Sequence, residues 1–266
     1  MTFLKLVDFE MKRIWKLFAS LLGLMMIVQL LVVTISSFSH AHSWKEAVRK
    51  GYSIDRIGLE GVTQSLFFYF PIALIIVSLL IYVFLTWYRE WFGKNTFAYQ
   101  LLLLPGNRMN IYFAKLVSIL LYIFCSVVVQ MALYPVFKGI FSMIMPAAGT
   151  MPGNFRSWIG SDPLLYILIP VNGSTFLFYY GVGITSVLVL FCMILLERSY
   201  GIAGIAAAVL YGFVCLLFVL LPTLINNMII PLYAKEYAVI FSISWALIVL
   251  SAIALSAYVI NKKIAV

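Results

Sequence analysis

Six stretches of the chain carry no Asp, Glu, Lys or Arg: residues 17–44, 61–88, 116–137, 163–196, 199–234 and 237–261. Each is as long as the roughly 20 residues that carry a helix across a bilayer. They lack the alternation of a transmembrane strand and far exceed its length, so the pattern predicts helices. The spans fall at about Leu17–Phe38, Leu66–Tyr88, Ile111–Phe137, Gly173–Leu196, Ile202–Leu221 and Tyr237–Ile260. The fold class is an all-α polytopic membrane protein with six transmembrane helices in a single domain, residues 1–266.

The N-terminal segment has a different pattern. Leu4, Val7, Met11, Ile14, Trp15 and Phe18 recur at helical spacing, and Lys5, Asp8, Lys12 and Lys16 recur on another face. This predicts an amphipathic helix over residues 1–16 that lies at the interface, with Lys5, Lys12, Arg13, Trp15 and Lys16 as anchors toward headgroups. Its acids, and the absence of a small-x-small site near Ser36–Ser39, favour a retained anchor over a cleaved signal peptide.

Between the spans lie segments of mixed character. Residues 39–60 hold Lys45, Glu46, Arg49, Lys50, Asp55, Arg56 and Glu60, and read as a short helix outside the bilayer. Residues 139–163 are rich in Gly, Pro, Met and Ser, with FRSWIG as a short interfacial helix. ERSYG at 197–201 is a tight turn that makes neighbours of spans four and five. TLINNMII, bracketed by Pro222 and Pro231, is too short to cross and reads as a half-buried or re-entrant piece. Small residues gather in spans four and five; Gly181, Gly183, Gly201 and Gly204 allow close helix packing.

Composition narrows the class. The chain has 266 residues, 64% hydrophobic and 10% charged, against about 25% charged in soluble domains. The net charge is +9, but the Lys and Arg stand at the ends of apolar runs. That fits headgroups and excludes a nucleic-acid partner. With the N-terminus inside, eleven Lys and Arg are cytoplasmic and seven are outside, which places both termini inside. Cys125, Cys192 and Cys215 fall inside spans and read as packing residues. His40 and His42 are too few for a metal site.

The six span cores hold no Asp, Glu, Lys, Arg or His. A proton- or sodium-coupled carrier needs such groups at mid-membrane. No HExxH, acid pair or activated nucleophile is present, so the chain is not read as an enzyme. No phosphate-binding loop with a lysine is present. What remains is a helical pathway driven from elsewhere, gripped on the cytoplasmic side. The one sizeable inner connection is residues 89–115, REWFGKNTFAYQLLLLPGNRMNIYFAK. Gly93 permits a change of direction, Thr96–Leu104 forms a short surface helix, and Pro105-Gly106 ends it. An ordinary loop whose apolar part dips into lipid is the alternative.

This stretch, E-xx-G-K-x-T…LLLLP-x-xR…K, resembles the cytoplasmic loop of ABC-2 type permeases, the membrane subunits of ATP-binding-cassette exporters. The matching positions are Glu90, Gly93, Thr96, Leu102, Pro105, Arg108 and Lys115, with Leu101 in the same apolar run. Two departures are Lys94-Asn95 between Gly93 and Thr96, and Gly106-Asn107 before Arg108. The resemblance implies that these residues form the coupling helix that docks on an ATPase, that residues 1–16 are the elbow helix, and that the fold is of the ABC-2 exporter type. It implies two copies of a separate soluble ATPase subunit, which would hold ATP and Mg, and a second permease, identical or homologous. The expected function is outward movement of an amphipathic or lipophilic substrate, such as an antimicrobial peptide or drug, across the plasma membrane. The rival readings are a non-transporting scaffold or sensor subunit, and a secondary carrier or channel.

The charge count yields a direct expectation. Cysteines placed at Lys16 and Arg108 should react with a membrane-impermeant thiol reagent only after permeabilisation, and cysteines at Lys50 and Arg156 should react in intact cells.

Overall fold

The computed structural model of the protein describes residues 3–52, 55–91, 108–229 and 231–263. Among these residues the secondary structure is helical, with one isolated parallel bridge between Ile57 and Thr150. The principal elements are α1 (Phe3–Lys50), α2 (Leu59–Thr63), α3 (Leu66–Trp91), α4 (Met109–Ile144), α5 (Phe155–Gly160), α6 (Pro163–Leu168), α7 (Gly173–Leu224) and α8 (Ala234–Tyr258). Five helical stretches are long and apolar enough to cross a membrane: Phe3–Lys50, Leu66–Arg89, Met109–Ile144, Gly173–Met228 and Lys235–Lys262.

Helix α1 joins what the sequence divides. The amphipathic segment, the first apolar run and residues 39–50 form one helix of 48 residues. At 1.5 Å per residue it is about 72 Å long, more than twice a hydrocarbon core of about 30 Å. Nothing in its interior forces a break, because no proline lies between Phe3 and Lys50 and Gly23 is its one glycine. The helix stops at Gly51, which adopts φ 77°. There Gly51 N–H donates to Val48 O and Tyr52 N–H to Ala47 O, the paired bonds by which a left-handed glycine closes a helix end. The short helix expected over 39–60 is therefore, as far as Lys50, the last turns of α1.

Helix α7 is interrupted at Gly201, whose φ of 58° and ψ of −128° are not helical. The two arms, 173–200 and 202–224, turn back on each other. A Cβ built on Gly204 would stand 2.3 Å from Leu196 O and 2.9 Å from Glu197 Cα. A Cβ built on Gly212 would stand 3.0 Å from Met193 Cε. In an unbroken helix residues 193 and 212 would be roughly 28 Å apart. After Pro222 the second arm ends in a π turn, Ile225–Ile229, and Asn226 Oδ1 accepts from Leu232 N–H at 2.8 Å.

The chain forms two compact units. One comprises residues 1–10, 80–119 and 181–266 and holds the site described below. The other comprises residues 11–79 and 120–180. In the second unit Gln29, fully buried, donates to Phe68 O at 3.4 Å, and Phe68 meets Phe137 edge to face. The connecting segments of this unit fold into a small ordered layer. Ile57 N–H donates to Gly149 O, and Met151 N–H donates to Ile57 O, both at 3.0 Å. Gly149 sits against Trp44, where a Cβ would be 2.9 Å from the ring. FRSWIG is helix α5, closed at its start by a reciprocal pair of bonds between Asn154 and Ser157. Its Trp158 is 1% exposed, packs on Tyr134 and Phe155, and donates through Nε1 to Thr63 Oγ1 at 3.1 Å. Asp162 caps α6 and also accepts the Tyr69 hydroxyl.

The fold-back predicts a sharp intolerance. Gly204→Ala sets a methyl against backbone that cannot rotate away, and Gly201→Ala adds about 1–2 kcal/mol of left-handed strain. Both variants should lower the thermal unfolding midpoint in detergent, whereas Gly183→Ala, with nothing within 4 Å of its Cβ position, should leave it unchanged.

Candidate functional site

The sequence singles out residues 89–115. Of these, Gly93, Thr96, Leu101, Leu102 and Pro105 lie outside the described residues. Glu90 lies in the last turn of α3. Arg108 stands just before α4 begins, and Lys115 is the seventh residue of α4. The structure thus gives the two helical stems from which the 92–107 stretch leaves and to which it returns.

Lys115 organises these stems. It is fully buried, and its Nζ lies 2.8 Å from Glu10 Oε1 and 3.2 Å from Thr86 O. The ring of Trp87 lies 5.2 Å from the same nitrogen, within cation–π range. A carboxylate, a carbonyl and an indole face thus surround the ammonium's three protons. Glu10 is itself 3% exposed. The pair ties the start of α1, the end of α3 and the start of α4 into one polar contact inside apolar surroundings. Tyr82, one turn before Thr86, reaches toward Glu10 O at 3.5 Å, at the edge of hydrogen-bond range.

An aromatic wall backs the pair. Trp87 and Phe191 meet edge to face with centroids 5.6 Å apart, and Tyr112 meets Phe191 in the same way at 5.5 Å. Tyr112 and Phe191 are fully buried. Contacts of this kind contribute about 0.5–1.5 kcal/mol each beyond area burial. The first arm of α7 joins the stems a second time through Tyr88, whose hydroxyl donates to Glu197 Oε2 while the Arg198 guanidinium lies 4.4 Å over its ring. Glu197 and Arg198 belong to the segment that turns at Gly201. On the return side, Arg108 Nη1 donates to Ile260 O at 3.3 Å, in the π turn Val259–Lys263 that follows α8. Both edges of the 92–107 stretch are therefore fixed: one by Trp87 and Tyr88, the other by Arg108, Tyr112 and Lys115.

The remaining residues named from sequence are placed as follows. Lys5, Lys12, Trp15 and Lys16 are exposed along α1, and Arg13 is half-buried. Gly181 lies under Trp245, where a Cβ would stand 2.0 Å from the ring. Gly204 lies against the backbone of residues 196 and 197, Gly201 makes the turn, and Gly183 faces open space. Among the described residues no cluster of three His, Cys, Asp or Glu side chains can hold a metal.

Sequence reasoning missed Glu10. Leu6, Val7, Glu10 and Phe18 share the buried face of α1, whereas Leu4 and Trp15 of the stripe read from the sequence are exposed, so the spacing set Glu10 off the buried face. An acid on an apolar stripe asks for a buried cation, and Lys115 is that cation. Lys115 itself was read as the return from the loop, whereas the structure buries it within the helix. Tyr88 ends the second span read from the sequence, and its link to Glu197 and Arg198 could not be found from spacing alone.

Removing Lys115 while Glu10 stays buried should be costly, about 3–5 kcal/mol. Replacing both by apolar residues should recover most of the loss. The check is a double-mutant cycle of thermal unfolding in detergent with Lys115→Met, Glu10→Leu and the pair.

No protein-family model, no curated protein and no solved structure matches the chain.

Proposed function

We propose that the chain is the membrane-spanning permease subunit of an ATP-driven exporter of the ABC-2 type. In this reading it crosses the plasma membrane six times, with both termini in the cytoplasm. The fold-back at Gly201 supports six crossings from five apolar helical stretches, since each arm of α7 is more than 20 residues long. Two such permeases, identical or homologous, work with two copies of a soluble ATPase that holds ATP and Mg. The cargo is amphipathic or lipophilic, such as an antimicrobial peptide or a drug, and moves outward.

The observation that carries the reading is the bracing of the two helical stems on either side of residues 92–107. A helix that receives a push from a soluble motor transmits it only if its two ends are rigidly held. Lys115 with Glu10, Trp87 with Phe191, Tyr88 with Glu197 and Arg198, and Arg108 with Ile260 hold the stems on both sides. Geometry carries the force, because exposed ion pairs on the surface of such a loop contribute only about 0–1 kcal/mol each.

The test is purification from cells that also express the cognate ATPase. The two proteins should co-purify in equal amounts, and reconstitution should stimulate ATP hydrolysis. Leu101→Asp with Leu102→Asp should abolish most of that stimulation while the helical content stays unchanged. A protein that moves cargo with no nucleotide-hydrolysing companion would overturn the proposal; a complex that hydrolyses ATP but moves none of the tested peptides or drugs would favour the scaffold reading.

A further inference from the structure

The two arms of α7 and helix α8 enclose a half-open cavity of about 320 Å³. Val182, Thr185, Val189, Cys215, Ser244 and Trp245 represent its wall. Among the described residues no Asp, Glu, Lys, Arg or His lines it. The polar groups on the wall are largely committed within the protein. Thr185 Oγ1 donates to Gly181 O and accepts from Trp245 Nε1, and Ser186 Oγ donates to Val182 O. An occupant therefore meets aliphatic and aromatic surface and few free hydrogen-bonding partners.

Depth selects the occupant. Thr185 and Val189 lie near the middle of the first arm of α7, Cys215 near the middle of the second, and Ser244 and Trp245 near the middle of α8. For helices that cross a bilayer this is the hydrocarbon centre, far from headgroups and water. An apolar cavity of roughly 150 Å³ stays dry and takes up benzene, and this one is larger. Tryptophan ordinarily sits at the interface, yet Trp245 stands at mid-helix, with its N–H spent on Thr185 and its ring seated on Gly181, where a Cβ would be 2.0 Å away. That arrangement turns the edge of an indole into cavity wall. We infer that the cavity is a binding site for the methyl-terminal part of a lipid acyl chain. The inference needs these helices to cross a bilayer; it does not depend on ATP-driven export.

The test uses the full chain in phosphatidylcholine vesicles and reads Trp245 fluorescence as the difference between the protein and Trp245→Phe. Lipid brominated near the acyl methyl end should quench this emission more than lipid brominated near the carbonyl, and acrylamide in the water should leave it unchanged. Val189→Phe fills the cavity and should remove the quenching by brominated lipid; Ser186→Leu, on the same wall, serves as a second filling variant should the first fail to fold by circular dichroism. Quenching by acrylamide would show a water-filled space and overturn the inference. Brominated lipid that quenches equally before and after filling, or not at all, would overturn it as well, since Trp245 would then face bulk lipid or a protein surface.

Discussion

A lysine ammonium stripped of water costs several kcal/mol unless a carboxylate and further acceptors replace the lost hydration, and Lys115 is fully buried beside Glu10. The two residues lie 105 positions apart, so the charge requirement of one helix start is met only when the start of another is in place. Thr86 O adds a third helix to the same nitrogen. The contact thus specifies which three helix ends meet. Apolar packing alone would be more permissive, because in lipid the hydrocarbon around a helix is as apolar as its neighbours. The aromatic contacts of Trp87, Tyr112 and Phe191 then fill the space around a point already chosen.

The other unit meets the same difficulty with hydrogen bonds in place of charges. Its connecting segments expose backbone that needs partners, and the partners are local. Asp162 and Asn154 cap short helices, Gly149 lets the chain pass close to Trp44, and Ile57 bonds the 147–151 turn on both sides. Trp158 fixes this layer by filling its interior and spending its N–H on Thr63. Small helices of five or six residues are not stable alone; α5 and α6 each start at a side-chain cap, Asn154 and Asp162, whereas α2 has none.

The apolar runs made the long helices legible, since hydrocarbon length and charge exclusion are written directly in the residues. FRSWIG, six residues with an arginine, follows neither rule; its helix is set by the Asn154–Ser157 capping bonds and by Trp158 filling the layer beneath. Continuity was not legible. Residues 39–50 are polar, but polarity does not end a helix; Gly51 does, and its left-handed φ becomes visible only when the two closing bonds form. The glycines of spans four and five looked alike in sequence, yet Gly201 turns, Gly181 and Gly204 admit a neighbour, and Gly183 meets nothing. Such differences arise from which helix comes to lie opposite, a long-range property that local spacing does not encode. Glu10 was not legible, because the stripe read from spacing ran through Leu4 and Trp15, which the structure leaves exposed, and the buried face is turned toward Leu6 and Glu10.

The turn at Gly201 also orders events in time. At about 5–20 residues per second, the 23 residues of the second arm of α7 follow the first by about one to five seconds. Gly204 trails Glu197 by roughly 0.3–1.4 seconds and Gly212 trails Met193 by about 1–4 seconds at that rate. The first arm is thus complete before the residues it packs against exist, and the contacts at Gly204 and Gly212 close only as a hairpin of the two arms.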